Sequence, residues 1–379
     1  MEENNKPLRK GQSLASDPRQ AVRELHQAIA QPDMALIIFF CSSHYDLDLF
    51  AAAINESFAG TTVIGCTTAG EMGPAGYGEG GVVGLSFSAG NCSALVGRID
   101  HLATVEESAV RDQVWEMRGQ PTEGVVGLRF AVMLIDGLCG REETIAHGCQ
   151  AGLGNVPLVG GSAGDDQRLL STKVFSEGAF RENAAVLAIV TTDLPFKVFR
   201  SHHFVGASDP LVVTAADAAR RIVREINGRP AAEEYARVAG IDPGQLNAAH
   251  FAASPMVVKI NGNDHVRSIR QVNEDGSLTL YCAIDSGVVL RLARNLDLIK
   301  SRKALFADLR QKVGGLDVVL GFNCIHCSIE AQGGDQNGAI EQLFKDNGVV
   351  GFSCYGEQFM GVHVNQTFTG VAIGDLDAR

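Results

Sequence analysis

The sequence is poor in positive charge and in aromatic residues. It has 32 Lys and Arg against 44 Asp and Glu, which gives a net charge of −12 at pH 7. No run of basic residues occurs, and aromatic residues make up 6% of the chain, with one tryptophan. A protein that binds nucleic acid needs clustered positive charge to neutralise phosphates. The composition therefore argues against a nucleic-acid-binding protein.

Long hydrophobic runs are also missing. The longest ones, residues 35–41 and 184–190, are shorter than the roughly 20 residues that a membrane-spanning helix needs. The polar segment 1–20 lacks the apolar core of a signal peptide. Most of the nine cysteines lie inside apolar segments, which is typical of free buried thiols in a reducing compartment. We expect a soluble cytoplasmic protein without membrane insertion.

A short glycine-containing motif occurs three times in the chain. Val63-Ile-Gly-Cys-Thr-Thr-Ala-Gly-Glu71 and Val349-Val-Gly-Phe-Ser-Cys-Tyr-Gly-Glu357 share one frame: two β-branched residues, Gly, one residue, Thr or Ser, two residues, and Gly-Glu. Leu158-Val-Gly-Gly-Ser-Ala-Gly-Asp165 is a third version, one residue shorter. Three such matches are unlikely to arise by chance, so they indicate related structural units.

Each copy follows an apolar strand and a helix-like segment. The strand and helix pairs are 35–41 with 46–58, 130–135 with 141–153, and 318–322 with 337–344. Strands alternating with crossover helices predict an α/β fold with mixed β-sheets, in which each unit ends in a glycine-rich acidic turn. A length of 379 residues with 45% hydrophobic residues is enough for about two domains. A helical pair over 215–227 and 230–240 is expected at the joint between them.

The turns and the last strand supply candidate ligand-binding residues. Ligands in open α/β sheets bind beyond the carboxyl ends of strands, where such turns lie. In the segment 361–368, alternation places three hydrogen-bonding side chains on one strand face, as expected for a polar pocket or for a solvent-exposed face. The candidates are Glu71, Ser162, Asp165, Tyr355, Glu357, His363, Asn365 and Thr367.

Catalysis is not predicted. Glu71, Asp165, Asp166 and Glu357 would form carboxylate pairs suited to acid–base chemistry only if the turns converge. Ser162 lies in Gly-Gly-Ser-Ala-Gly, which does not match the Gly-x-Ser-x-Gly nucleophile elbow. Capping of turns by short acidic side chains explains the same residues more simply. We therefore expect a binding protein and not an enzyme.

A cysteine pair with an intervening histidine offers a different chemistry. Cys324-Ile-His326-Cys327 has the thiol and imidazole groups of a metal or redox site. No second ligand pair follows at the spacing of a zinc site, and a buried structural cluster is the simpler interpretation. A metal- or redox-linked sensor is accordingly one of the alternatives that the sequence leaves open.

Several segments together resemble the FIST family, which combines FIST N and FIST C sensory domains in bacterial signal transduction. They are Gly65-Cys-Thr-Thr-Ala-Gly-Glu71, Gly160-Gly-Ser-Ala-Gly-Asp165, Glu225-Ile-Asn-Gly-Arg-Pro-Ala-Ala-Glu-Glu-Tyr235, Val266-Arg-Ser-Ile269, Asp275-Gly-Ser-Leu278, Tyr355-Gly-Glu-Gln358 and His363-Val-Asn-Gln-Thr367. The resemblance implies a FIST N domain over 33–229 and a FIST C domain over 230–379, and the residues before them indicate a polar arm and helix over 1–32. One departure is Cys327, where the family has an arginine.

The chain is most similar to stand-alone FIST haemoproteins that sense nitric oxide. This resemblance implies haem b as cofactor, nitric oxide as ligand, and a histidine kinase or cyclic-di-GMP enzyme as regulated partner, with an influence on biofilms. The resemblance does not decide whether the protein is a monomer or a homo-oligomer. A FIST sensor that binds a small polar ligand, such as an amino acid, without haem is the alternative.

Haem requires an axial histidine or thiolate in an apolar pocket. His203 lies between Phe199 and Phe204, so it is the candidate axial ligand. His363 shares its predicted strand face with polar side chains and suits a hydrogen-bonded ligand better. Four further histidines remain open as ligands: His44, His147, His265 and His326.

Overall fold

The computed structural model describes residues 6–121, 124–207, 209–260 and 262–375. Within these ranges, no helix is both long enough and apolar enough to cross a membrane. The α-helices are α1 (Pro18–Ile29), α2 (Leu47–Ser57), α3 (Glu107–Gly119), α4 (Glu142–Leu153), α5 (Ala231–Ala239), α6 (Ala248–Ala253), α7 (Leu298–Val313), α8 (Ile325–Gly333) and α9 (Asn337–Asp346).

The strands of the first half of the chain are β1 (Leu8–Ser13), β2 (Met34–Ser42), β3 (Val63–Thr68), β4 (Glu71–Gly73), β5 (Gly76–Gly78), β6 (Val82–Ser88), β7 (Cys92–Asp100), β8 (Leu128–Ile135), β9 (Leu158–Ser162), β10 (Val174–Ser176), β11 (Ala179–Arg181), β12 (Ala184–Thr192) and β13 (Phe196–Ser201). The strands of the second half are β14 (Phe204–Gly206), β15 (Leu211–Asp217), β16 (Ile222–Ile226), β17 (Arg229–Pro230), β18 (Met256–Ile260), β19 (Asn263–Val266), β20 (Ile269–Val272), β21 (Leu278–Leu280), β22 (Val289–Asn295), β23 (Leu316–Cys324), β24 (Val349–Cys354), β25 (Glu357–Phe359), β26 (Val362–Val364) and β27 (Phe368–Gly374).

Three sheets repeat one arrangement of strands. Their orders are β1-β6-β2-β3-β10-β11, β7-β12-β8-β9-β25-β26 and β13-β27-β23-β24-β4-β5. At the centre of each sheet lies a parallel pair: β2 with β3, β8 with β9, and β23 with β24. The connection within each pair is helical, through α2, through α4, or through α8 and α9. The predicted α/β fold with mixed sheets is thus confirmed, and the three sequence units are its repeating elements.

The repeated units exchange their hairpins in a cycle. The hairpin β4–β5 follows β3 in sequence but pairs with β24 of the third unit. Likewise, β10–β11 follows β9 but pairs with β3, and β25–β26 follows β24 but pairs with β9. Each unit therefore completes the sheet of another one, and the fold has the connectivity of a pseudo-three-fold ring.

One apolar core lies between the three sheets. It contains aromatic residues of the first and third sheets, Phe40, Phe322 and Phe352, together with Phe130 and Val132 of the second. The ring centroids of Phe40 and Phe352 are 4.7 Å apart, and those of Phe322 and Phe352 are 5.8 Å apart. Burial of these side chains supplies the hydrophobic free energy that holds the three units together.

A fourth sheet, formed by β14–β22 with α5 and α6, carries an independent apolar core. The prediction of a helix over 215–227 is wrong, because β15, a 3₁₀ turn and β16 occupy this segment. Arg221 adopts a left-handed backbone conformation (φ 56°), so a right-handed α-helix cannot continue through this residue. Val223 and Ile226 on β16 are completely buried in the sheet core, so tertiary packing overrides the helix propensity of the segment. The predicted helix over 230–240 is confirmed as α5.

A substitution at Gly351 tests the close approach of the parallel strands. A Cβ atom at this position would lie 1.8 Å from the carbonyl oxygen of Gly321, whereas one at Gly338 in α9 would meet no atom within 4 Å. We expect Gly351→Ala to lower the free energy of unfolding by about 1–3 kcal/mol. Gly338→Ala should raise it by about 0.5–1 kcal/mol, because alanine favours the helix. Urea denaturation of both variants measures the difference; equal stabilities would contradict the close packing of β23 on β24.

Candidate functional site

The three glycine-containing turns, 65–71, 160–165 and 351–357, contact one another, and we call them together the turn ring. Each turn donates a backbone hydrogen bond to another one. The bonds are Gly164 N–H to Thr67 O (3.0 Å), Ala69 N–H to Ser353 O (3.0 Å) and Tyr355 N–H to Ser162 O (3.2 Å). The sequence units thus converge, and their turns lie at the carboxyl ends of the buried strands β3, β9 and β24.

Glu71 and Glu357 occupy equivalent places in the turn ring. Both are completely buried, and each lies opposite a residue of another unit in an antiparallel strand pair: Glu71 opposite Phe352, and Glu357 opposite Gly161. Glu71 accepts hydrogen bonds from Thr68 Oγ1 and from the N–H of Gly81 (3.1 Å). Glu357 accepts hydrogen bonds from the N–H of Thr367 (3.1 Å) and from its Oγ1 (2.5 Å). Each carboxyl therefore links its turn to the residue that precedes the returning strand, β6 or β27.

Burial also sets the protonation of these two carboxyl groups. Desolvation raises the pKa of Glu71 to about 8 and the pKa of Glu357 to about 8. The hydrogen bonds that they accept act in the opposite direction but do not outweigh burial. Both groups are therefore mostly protonated at neutral pH and are poorly suited to hold a cation.

In the second unit, a different residue supplies the buried carboxyl group that binds the N–H before the returning strand. The position equivalent to Glu71 is Val174, which pairs with Cys66. The carboxylate comes instead from Asp136, directly after β8, which accepts hydrogen bonds from the N–H of Asn183 (2.6 Å) and from Thr172 Oγ1. Sequence reasoning missed Asp136, although an acid directly after the strand of a repeated unit was a usable signal.

Asp165 stabilises the loop that follows the second turn. Its buried carboxylate accepts the backbone N–H groups of residues 169–171 at 2.7–2.9 Å and also contacts the hydroxyl of Tyr355. Ser162 is likewise buried, and its Oγ accepts a hydrogen bond from Gln358 Nε2 (2.8 Å). Asp165, Ser162 and Tyr355 therefore hold the turn ring and its following loop together.

The predicted polar strand face is buried but irregular. Strand β26 ends at Val364, so the predicted strand over 361–368 is interrupted before β27. His363, Asn365 and Thr367 are 3%, 1% and 4% exposed. Thr367 binds Glu357, whereas His363 Nε2 and both polar side-chain atoms of Asn365 have no hydrogen-bond partner among the described residues. Their role in ligand binding stays a prediction.

A cavity of about 200 Å³ lies beside the turn ring. It is lined by Tyr77, Leu298, Arg302, Asn323, Cys327, Ser328, Ala331, Asn337, Ile340, Glu341 and Phe344. Ser328 and Tyr77 contact the ring through their hydroxyl groups: Ser328 Oγ lies 2.8 Å and Tyr77 Oη lies 3.3 Å from Ser353 Oγ. The cavity thus adjoins the turn at the end of the parallel strand β24. None of the candidate ligand-binding residues predicted from the sequence lines it.

Arg302 is the unusual residue of this cavity. Its side chain is completely buried, and no carboxylate among the described residues forms an ion pair with it. Nη1 donates a hydrogen bond to Ser201 Oγ (3.3 Å), Nη2 donates one to Cys327 Sγ (3.9 Å), and Nε has no hydrogen-bond partner. A buried charge without a counterion costs several kcal/mol, and burial accordingly lowers the pKa of Arg302.

Sequence reasoning missed Arg302, although a signal was present. The buried positions of α7 are Leu298, Arg302, Phe306, Leu309 and Val313, so the arginine occupies a place on the apolar stripe. An arginine is almost never fully buried unless it is paired. Its position on the apolar stripe of α7 is therefore a signal that the sequence contains.

The cysteine pair lies at the start of a helix that the sequence did not predict. Helix α8 begins at Ile325, directly after Cys324, and no side chain caps its first turn. Burial raises the pKa of the thiols of Cys324 and Cys327 and lowers the pKa of His326 to about 4. Reactive and metal-binding cysteines are thiolates, which this environment disfavours. The described residues contain no group of three or more His, Cys, Asp or Glu placed to hold a metal ion. A metal or redox role stays a prediction.

The candidate haem ligand is buried but already bonded. His203 is 1% exposed, and its Nε2 lies 2.7 Å from Glu330 Oε2. Phe204 lies beside it, whereas Phe199 packs against Phe368. His203 does not line the cavity at Arg302, which is comparable in size to a cavity that holds benzene and is too small for a porphyrin. As placed, these residues do not fit an axial haem site, and haem binding stays a prediction from the family resemblance.

The fold defines a class: an α/β protein with mixed sheets, whose turns at the ends of parallel strands adjoin a cavity. Comparison with protein families gives the family itself. The FIST N domain matches residues 35–229, and the FIST C domain matches residues 231–360. The chain therefore belongs to the FIST family and is a signal-transduction sensor. No curated protein matches the chain.

The buried glutamates predict a specific dependence of stability on pH. The ordinary pKa of a glutamate is 4.5, and both groups have a folded-state pKa of about 8. Between these values the folded protein holds protons that the unfolded chain has released. The stabilisation is therefore complete below about pH 4.5 and is lost as the pH rises towards 8.

We expect Glu71→Gln/Glu357→Gln to remove this contribution, because the amide stays neutral. Between about pH 5.5 and 8, the wild type should lose roughly 3 kcal/mol more per carboxyl than the variant, since one pKa unit corresponds to about 1.4 kcal/mol. Chemical denaturation at a series of pH values measures this. Glu116→Gln, on the exposed face of α3, is the control and should keep the wild-type slope. Parallel slopes for the wild type and the double variant would refute the assignment.

Proposed function

We propose that this FIST protein senses a small polar ligand bound in the cavity at Arg302. The observation that carries the proposal is the completely buried guanidinium without an ionic partner. Proteins keep such a costly arrangement where a ligand completes it, and sites with perturbed charged groups in a cavity are the default candidates for binding. An amino acid is one ligand of this kind, and the role is binding and not catalysis.

The cavity is also suited to transmitting a response. Its walls come from α7, α8 and α9 and from Tyr77 on β5, so a ligand would contact elements that are distant in sequence. Glu330 on α8 holds His203, and the carbonyl of His203 accepts the N–H of Leu296 just before α7 (2.5 Å). A ligand that draws α7 and α8 together would thus act on the segment that links the third sheet to the fourth.

The regulated partner is proposed on the family resemblance alone. A histidine kinase or a cyclic-di-GMP enzyme would receive the signal. Haem binding and nitric oxide sensing have the same basis, and no contact around His203 favours them. The absorption spectrum of protein purified after haem supplementation tests this: a Soret band that shifts with nitric oxide would support haem, and its absence would eliminate it.

Replacement of Arg302 by methionine tests the proposed site. Removing an unpaired buried charge is expected to leave the ligand-free protein equally stable, or more stable by about 1–2 kcal/mol. We expect small carboxylates and amino acids at millimolar concentration to raise the melting temperature of the wild type, and Arg302→Met should abolish this rise. Differential scanning fluorimetry measures both quantities.

Lys303→Met is the matched control, because Lys303 is exposed on the same helix. It should respond to ligands like the wild type. A large loss of stability in Arg302→Met without ligand would show a structural arginine instead. A ligand response that persists unchanged in Arg302→Met would place the site elsewhere.

A further inference from the structure

We infer that the ligand is a small monocarboxylate anion with an apolar body, and not a zwitterionic amino acid. This inference rests on the proposed function and specifies the ligand class of the same cavity. It follows from the charges that line the cavity, from the donors around Arg302 and from the character of the opposite wall.

The lining of the cavity carries two charged side chains, and only Arg302 lacks an ion-pair partner among the described residues. Arg302 and Glu341 are the ionisable residues of the lining that carry charge at neutral pH, since burial keeps the Cys327 thiol and the Tyr77 phenol protonated. Glu341 Oε1 lies 2.8 Å from Lys345 Nζ, one turn further along α9. This ion pair neutralises the glutamate, so Arg302 alone remains to be matched.

Two further acidic groups, Glu330 and Glu357, act on Arg302 electrostatically, but neither forms an ion pair with it. Glu330 Oε2 lies 2.7 Å from His203 Nε2, and Glu357 accepts a hydrogen bond from Thr367 Oγ1. A ligand with one negative charge would therefore complete the site. A carboxylate suits a guanidinium best, because its two oxygens can accept two parallel N–H bonds.

The donors near Arg302 also suit an anion. Cys327 and Ser328 belong to the first turn of α8, whose N–H groups have no side-chain cap. Such a helix start favours negative charge. Asn323 Nδ2 donates a hydrogen bond to Ser328 Oγ (3.1 Å), which fixes this hydroxyl beside the cavity. A buried arginine and an uncapped helix start thus point to the same ligand group.

The opposite wall is apolar. It consists of Leu298, Ala331, Ile340 and Phe344. A cavity of about 150 Å³ with apolar walls holds benzene, so about 200 Å³ fits a ligand of roughly six to ten non-hydrogen atoms. The ligand class is accordingly a short branched, aliphatic or aromatic monocarboxylate.

An α-ammonium group would be unfavourable here. Its positive charge would enter a cavity that already holds Arg302, and the lining carboxylate of Glu341 is paired with Lys345. A buried ammonium needs a charged or hydrogen-bonding partner to offset its lost hydration. We therefore expect loss of the amino group to strengthen binding.

Isothermal titration with three ligands of one carbon skeleton tests this: 4-methylpentanoate, its amide and leucine. A parallel set is 3-phenylpropanoate, its amide and phenylalanine. In at least one set the carboxylate should bind at least about tenfold more tightly than both the amide and the amino acid. Arg302→Met should abolish carboxylate binding, Arg302→Lys should retain part of it, and Lys303→Met should match the wild type.

The outcomes separate the two proposals. Binding of the amino acid that equals or exceeds that of the carboxylate, and that depends on Arg302, would overturn the inference and keep the proposed function. Equal binding of the amide would overturn the inference as well. If the carboxylates do not bind, the inference is also overturned. If no member of either set or of the wider carboxylate and amino-acid panel binds in an Arg302-dependent way, the proposed function fails too.

Discussion

The cyclic exchange of hairpins is the constraint on which the rest of this structure depends. Each of three related units gives its hairpin to the sheet of another unit, so no unit completes its own sheet. The exchange brings the glycine-containing turns into contact, where they bond to one another through backbone groups. Because the N-terminal and C-terminal halves share these sheets, folding of one half depends on strands from the other.

The exchange also explains the buried carboxyl groups. Where a hairpin crosses to another sheet, the N–H before the returning strand needs an acceptor, since buried polar groups left unpaired cost free energy. Glu71, Glu357 and Asp136 supply it from different places in the chain. Glu71 and Glu357, which the sequence patterns present as ligand-binding candidates, thus stabilise the fold through these hydrogen bonds. The unpaired cation at Arg302 lies beside them, where α7, α8 and α9 leave a cavity.

Sequence prediction succeeded where local pattern and tertiary packing agree. The strand, helix and turn of each unit have strong periodicity, so α2, α4 and their flanking strands were predicted closely. It failed over 215–227, where helix-favouring residues form strands because Val223 and Ile226 complete a sheet core. It also missed α8, since a helix that starts with Cys-Ile-His-Cys has no capping residue and no apolar stripe to announce it.

The sequence by itself determined the α/β class, the three repeated units and the FIST family, because these depend on local periodicity and on short motifs. Only the tertiary structure decided which unit receives which hairpin, since that choice rests on pairing between strands far apart in sequence. It also decided the candidate site. Whether an arginine on α7 is paired or alone depends on every neighbour that packs around it, and no local pattern contains that information.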